Sequence, residues 1–214
     1  MRNKEKDEAQ MAEKRNHFLA KSYELFTKKN IESVSMIEVA KECGYGTTTL
    51  YRYYSTKPEL VVAVATWKWD QFINEHKSYK QSKKLNDVNA AGLFEYYLDL
   101  FLAMYQKHSD LLRFNQFFNM YIQAEGIGAE VMKPYRDMID RQKAGFHIIY
   151  EKALQDHTIR TDESEDEIFN TTLHLMLAAV TRYAVGLVYT PDHGFNAMRE
   201  LEKLKEALLL RYKT

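Results

Sequence analysis

The hydrophobic residues of this chain recur with helical spacing along most of its length. Between residues 9 and 29, apolar side chains fall every three or four positions, and Lys, Glu and Asn occupy the positions between them. The same period covers 57–78, 87–107, 110–125, 128–156, 164–189 and 195–212. Polar stretches such as EGIG and TPDHG separate these segments. The pattern predicts an all-α fold of long helices joined by short loops.

Two short helices are predicted between the first and the fourth helix. Ser35 is an N-cap residue and Glu38 follows three positions later, which predicts a capping box, and Gly44 ends this second helix after about two turns. After Gly46, the run TTTLYRYY predicts a third helix that directs Leu50 inward and small hydroxyl side chains outward. The next helix opens at about residue 57, so the first domain ends there.

Composition and charge narrow the class of protein. The chain has 214 residues with 8 Gly, 3 Pro and a formal net charge of zero, a composition that favours helices over a turn-rich sheet protein. Cys43 is the single cysteine, which excludes an intramolecular disulfide. The charged N-terminus lacks the apolar run of a secretory signal, and no stretch is long and apolar enough for a membrane span. We therefore expect a soluble cytoplasmic protein with no membrane partner.

Two short helices joined by a glycine-containing turn form a helix-turn-helix when the second helix carries small polar residues at its start. Threonine side chains let a helix approach the edges of the bases in the major groove, where they can donate hydrogen bonds or contact thymine methyl groups. Residues 1–60 contain 11 Lys and Arg against 9 Asp and Glu, which is only a weak basic excess. The motif, rather than the charge, predicts binding to double-stranded DNA.

The run FLAKSYELFTKKNIESVSMIEVAKECGYGTTTLYRYYSTKPEL resembles the N-terminal domain of the TetR family of regulators. The resemblance covers about residues 17–60, and it is strongest in TTLYRYYSTKPEL. It implies a helix-turn-helix DNA-binding domain over 1–56 and a helical ligand-binding and dimerisation domain over 57–214. The sequence departs from the family pattern at Asn30, Tyr45 and Gly46, where Gly, Val and Ser are usual.

The resemblance also implies which residues contact DNA. The threonines begin the recognition helix, and the tyrosines and the lysine match backbone-contacting positions, with a base as a further contact for Tyr51. The start of the second helix meets the DNA backbone, and Ile37 matches a position from which some family members reach a base. The predicted DNA-binding residues are Ser35, Met36, Ile37, Thr47, Thr48, Thr49, Tyr51, Tyr53 and Lys57.

The larger domain is rich in aromatic residues with a few polar groups among them. Most such residues are expected in the core, but the same composition lines cavities that accept apolar or aromatic molecules. The predicted ligand-binding residues are Phe101, Tyr105, Phe114, Phe117, Phe118, Tyr121, His147, His174 and Tyr183. The last two helices carry broad apolar faces, which predicts a homodimer formed through them.

The sequence contains few signals of catalysis. It has no Gly-rich phosphate loop, nucleophile elbow, paired-cysteine motif or HExxH, so no enzyme, cofactor or metal is predicted. His147 and Glu151 lie one helical turn apart and could share a metal, but one such pair without a second Glu-x-x-His is a weak metal signal, and surface pairing is the favoured interpretation. A helical enzyme or metal-binding bundle is the alternative from another class, and a scaffold that only dimerises is a third.

The resemblance implies a mechanism as well. A symmetric dimer must present its two recognition helices about 34–36 Å apart, or a multiple of that distance, to enter successive major grooves. A ligand between helices of the larger domain would pivot the fourth helix and change this separation. Repression relieved by a ligand is the family's commoner mode, and activation or ligand-strengthened binding is the alternative.

Overall fold

The computed structural model describes residues 4–80, 87–186 and 194–214. Over these residues the chain forms nine α-helices, and the only β-pairing is a single antiparallel bridge between Ile159 and Lys213. The helices are α1 (Lys4–Lys28), α2 (Met36–Glu42), α3 (Thr47–Tyr51), α4 (Lys57–Lys80), α5 (Ala90–Lys107), α6 (Ser109–Glu125), α7 (Ala129–Asp156), α8 (Glu165–Ala184) and α9 (Ala197–Tyr212). The predicted all-α fold is confirmed.

The two largest differences from the predicted helices lie at helix ends. Helix α1 begins at Lys4, before the predicted start at residue 9, because its first turns are polar helix formers that give no hydrophobic period. Helix α8 ends at Ala184, and Gly186 then takes a left-handed conformation with φ +78°. The remaining residues of the predicted helix, 187–189, lie outside the described residues.

The chain divides into two compact units. The first unit contains the described residues up to Phe72 together with Phe114–Met138, and the second unit contains Ile73–Arg113 and Ile139–Thr214. Helix α4 runs without a break across the division between Phe72 and Ile73. The domain boundary predicted after residue 56 separates a DNA-binding domain from a ligand-binding domain, and it stays a prediction.

The core of the first unit is built around α1. Phe18 and Phe26 of α1, Leu50 of α3 and Leu60 of α4 are completely buried. Each such side chain contributes roughly 1.5–3 kcal/mol by leaving water. The ring of Tyr23 on α1 also lies 5.2 Å from that of Phe114, which attaches α6 to this core. The short helix α3 is therefore anchored through Leu50 in a core to which the long helices α1, α4 and α6 also contribute.

The second unit is a bundle in which α5 packs against α8 and α9. Phe94 of α5 is completely buried, and its ring lies 6.3 Å from that of Phe146 and 5.7 Å from that of Tyr212. Lys205 of α9 pairs with Asp99 at 2.7 Å. Among the described residues, no helix combines the length and the apolar character that crossing a membrane requires.

Candidate DNA-binding site

The start of α2 is fixed by its N-cap. Ser35 has extended backbone angles, and its side-chain oxygen accepts a hydrogen bond from the backbone N–H of Glu38 at 3.1 Å. Glu38 does not complete the predicted capping box, because its carboxylate pairs with Lys29 at 2.5 Å instead. This hydrogen bond to Lys29 lowers the pKa of Glu38. One ion pair therefore joins the end of α1 to the start of α2.

The turn between α2 and α3 depends on Gly44. This residue has φ +73°, a left-handed conformation that costs other residues about 1–2 kcal/mol. The N–H of Tyr45 then donates to the carbonyl oxygen of Ala40 at 2.9 Å, which closes the end of α2. Gly46 caps α3 in an extended conformation without a side-chain hydrogen bond. The turn leads directly from α2 into α3, as predicted for a helix-turn-helix.

One face of α3 is buried and fixes the direction of the other. Leu50 is completely buried, which confirms the inward position predicted for it, and Tyr54 is nearly completely buried. The rings of Tyr45 and Tyr53 each lie 5.3 Å from the ring of Phe18. At the start of α3, Thr48 is exposed, and Thr47 and Thr49 are half-buried.

The predicted DNA-binding residues differ in exposure. Ile37 is 68% exposed and Tyr51 is 47% exposed, although both are large and apolar or aromatic. The other exposed members are Ser35 and Thr48, and the half-buried members are Thr47, Thr49, Tyr53 and Lys57. Met36 is only 6% exposed, because it belongs to the core face of α2. Its side chain is therefore unavailable to DNA, and only its backbone remains for such a contact.

Lys57 begins α4 and is held by two neighbours in the first unit. Its ammonium group donates a hydrogen bond to the backbone oxygen of Glu32 at 3.1 Å and lies 5.5 Å from the ring centre of Tyr121. Burial lowers the pKa of Lys57. Burial also raises the pKa of Tyr121 to about 12. This predicted phosphate-contacting residue is thus positioned by both the α1–α2 turn and α6.

The predicted ligand-binding residues are divided between the two units. Phe114, Phe117, Phe118 and Tyr121 lie on α6 in the first unit. Phe101, Tyr105, His147, His174 and Tyr183 lie in the second unit. His147 and His174 are exposed there, and the hydroxyl of Tyr183 donates to Glu200 at 2.5 Å. Neither unit by itself contains the whole predicted set, which stays a prediction.

His147 forms ion pairs on the surface of the second unit. Its Nδ1 atom lies 2.8 Å from the carboxylate of Glu165, and its Nε2 atom lies 3.8 Å from that of Glu151. The hydrogen bond to Glu165 raises the pKa of His147. Within the described ranges, no group of three or more His, Cys, Asp or Glu side chains is arranged to hold a metal ion. The geometry accounts for the His147–Glu151 spacing as surface pairing.

Helix α1 contributes residues beside α3 that were not among the predicted DNA-binding residues. His17 of α1 forms a hydrogen bond through Nε2 with the carbonyl oxygen of Cys43 at 3.1 Å, which attaches α1 to the turn. Lys14 lies one turn earlier, and its ammonium group lies 5.8 Å from the ring centre of Tyr45. The spacing of Gln10, Lys14 and His17 along one helix face could have indicated this surface.

Comparison with known proteins agrees with the helix-turn-helix geometry. Residues 18–64 match the family described as "Bacterial regulatory proteins, tetR family". An HTH-type transcriptional regulator of Staphylococcus aureus is 31% identical over 101 residues, which are 44% of this chain and 55% of the relative. The chain thus matches about half the length of this curated relative.

Solved structures share the fold over nearly the whole chain. A TetR transcription regulator from Haloarcula marismortui has a TM-score of 0.72 and 16% identity, with 95% of this chain and 100% of that chain covered. The regulator FadR from Bacillus subtilis, in complex with stearoyl-CoA, has a TM-score of 0.68 and 14% identity, with 90% and 96% covered. The family match thus covers residues 18–64, within α1 to α4, and the likeness to these solved structures shows the fold of the chain.

Proposed function

We propose that this protein is a transcriptional regulator that binds double-stranded DNA as a homodimer at a palindromic operator. The observation that carries the proposal is the short helix α3, whose Leu50 is completely buried while Thr48 is exposed and Thr47 and Thr49 are half-buried. A recognition helix needs this arrangement, because it must be rigid on one side and free to enter the major groove on the other. Such a protein acts in the cytoplasm, where chromosomal DNA lies.

The contacts divide into base reading and backbone positioning. Thr47, Thr48 and Thr49 are short enough to let α3 approach the base edges, and Thr48 is exposed. Other residues contact the DNA backbone and fix the register of the protein on the duplex. They are the exposed Tyr51, the half-buried Tyr53 and Lys57, and the start of α2 at Ser35, Met36 and Ile37. Met36 takes part through its backbone only.

Helices α8 and α9 form the dimer interface in this proposal. Leu175 of α8 is 47% exposed and Leu210 of α9 is 84% exposed, although soluble monomers rarely leave several large apolar side chains on neighbouring helices. A second copy that covers them also supplies the second recognition helix. The two helices then meet successive major grooves about 34–36 Å apart, or a multiple of that distance.

A small apolar or aromatic molecule releases the protein from its operator in this proposal. The support is the shared fold with Bacillus subtilis FadR, which was solved with stearoyl-CoA, a ligand with a long apolar chain. Helix α4 belongs to both compact units, so a shift of its second half on ligand binding would displace its first half and α3 with it. The effector weakens DNA binding if it prefers the displaced state.

Selection from random-sequence duplex DNA tests the proposal. The wild type is expected to enrich a palindrome, and Thr48→Ala with Thr49→Ala is expected to weaken or change the enriched sequence. Thr161→Ala, in the second unit, is the matched control and should enrich the wild-type palindrome. Absence of enrichment by the wild type at low salt would reject the DNA-binding function, since phosphate contacts are strongest there.

A further inference from the structure

A cleft of about 400 Å³ lies between the first half of α1 and the recognition helix. Its lining residues from α1 are Asp7, Gln10, Met11, Lys14 and Arg15, and those from α3 and the following turn are Thr49, Arg52 and Tyr53. Two of the eight, Thr49 and Tyr53, belong to the proposed DNA contacts. The cleft is therefore continuous with the face that α3 presents to DNA.

The cleft is positively charged. Lys14, Arg15 and Arg52 contribute three cations, and Asp7 contributes one carboxylate. None of the three cations forms an ion pair with another residue in the part of the chain that the structure describes. Cations that the protein itself leaves unneutralised attract an anionic partner. The position beside Thr49 favours the phosphates of a duplex already bound to α3.

Helix α1 is held rigidly enough to present these charges. The hydrogen bond between His17 and Cys43 attaches α1 to the α2–α3 turn at 3.1 Å, and the ring of Tyr45 lies 5.8 Å from the Lys14 ammonium group. Phe18, which follows His17 in α1, is completely buried. Preorganised side chains lose less conformational entropy when they bind a ligand.

From this arrangement we infer that α1 carries a second DNA-backbone site, in which Lys14 and Arg52 bind a phosphate that flanks the bases read by α3. Arg15 lies at the edge of the same cleft and adds to its positive charge. The inference rests on the proposed function, because the flanking phosphate reaches the cleft only when α3 occupies the major groove. Asp7 disfavours a free, multiply charged small anion as the occupant.

Salt dependence of binding tests this site. Fluorescence anisotropy with the operator duplex is measured over a range of salt concentrations for the wild type, Lys14→Gln and Arg52→Gln. Lys14→Gln combined with Arg52→Gln is expected to reduce the slope of log K against log[salt] by about 0.9, the value for one phosphate, and to weaken binding about five-fold at 0.15 M salt, and each single substitution should give part of this loss. Lys28→Gln is the matched control, because Lys28 is an exposed lysine at the opposite end of α1 and should leave the slope unchanged.

A single-phosphate scan locates the contact. Methylphosphonate replaces one phosphate of the operator at a time, and one flanking position is expected to cost the wild type about five-fold, in line with loss of one phosphate contact. The same replacement should cost the variant with both Lys14→Gln and Arg52→Gln nothing further. Equal slopes for Lys14→Gln, Arg52→Gln and Lys28→Gln would overturn the inference while the wild type still binds its operator. Stabilisation by inorganic phosphate alone, with DNA affinity unchanged in Lys14→Gln, would also overturn it.

Discussion

The ammonium group of Lys57 lies 5.5 Å from the ring centre of Tyr121, so the first residue of α4 contacts the last turns of α6. The same ammonium group donates to the backbone oxygen of Glu32 at 3.1 Å. Three separate segments of the first unit therefore meet at one cation. The pKa of Lys57 is lowered because burial removes water from the ammonium group. The ring of Tyr121 replaces part of this lost solvation.

A double-mutant cycle measures this contact. Lys57→Met keeps most of the apolar stem, Tyr121→Leu removes the ring, and both are combined in the double variant. The coupling in the free energy of unfolding is expected to be about 0.5–1 kcal/mol, the usual range of a cation–π contact at a partly exposed site. Urea denaturation provides the four values. A cycle of Lys28→Met with Tyr121→Leu is the control, and equal coupling in both cycles would show that the ring does not act on Lys57.

Ile37 and Met36 are neighbours on α2 with opposite environments. Ile37 is 68% exposed and Met36 is 6% exposed. Ile37→Ala is therefore expected to change the free energy of unfolding by less than about 0.5 kcal/mol and to weaken operator binding. Met36→Ala is expected to cost about 2–5 kcal/mol of stability, because it leaves a cavity in the core. Urea denaturation and anisotropy distinguish the two, and a large stability loss in Ile37→Ala would contradict the exposed position.

Gly44 and Gly46 flank the turn and differ in conformation. Gly44 has φ +73° and Gly46 has φ −70°, and an added Cβ would meet no atom within 4 Å at either position. Gly44→Ala should lower stability by about 1–2 kcal/mol through backbone strain alone. Gly46→Ser should raise it by a few tenths of a kcal/mol, since serine is a good N-cap residue. Thermal unfolding measures both, and equal effects at the two glycines would exclude the conformational explanation.

Much of this fold could be predicted from the sequence because its helices are amphipathic. The threonines of α3 and the buried Leu50 follow from the helical period and a capped start. The beginning of α1 did not follow, because its polar turns are helical by propensity and carry no apolar stripe. The spacing along α1 could indicate the face that carries Lys14, but not the cleft that this face forms with Arg52, because Lys14 and Arg52 come from segments that are distant in the sequence.

Side-chain partners were harder to predict than helices. Glu38 has the spacing of a capping box with Ser35, but its carboxylate forms an ion pair with Lys29 instead. A charged partner from the segment after α1 thus replaced a local hydrogen bond, and only the tertiary structure brings the two together. The predicted ligand-binding residues lie in both units, and composition identifies aromatic residues without indicating which of them share a unit.

The pairing of His147 with Glu165 makes a pH-dependent prediction. The two side chains lie 2.8 Å apart, and their hydrogen bond raises the pKa of His147 above its ordinary value of 6.5. A raised pKa means that protonation favours the folded state, so this stabilisation is fully present below pH 6.5 and is lost as the pH rises through the pKa of the folded protein. Because His147 is exposed, solvent screens the pair and the effect on stability is small.

An NMR titration of the His147 ring proton checks this pair directly. Glu165→Gln should lower the pKa of His147 towards 6.5, because the hydrogen bond to a charged carboxylate is lost. Glu151→Gln is the control on the other side of the ring, where the carboxylate lies 3.8 Å away, and it should lower the pKa less. A larger shift in Glu151→Gln than in Glu165→Gln would show that Glu151, and not Glu165, is the principal partner of the histidine in solution.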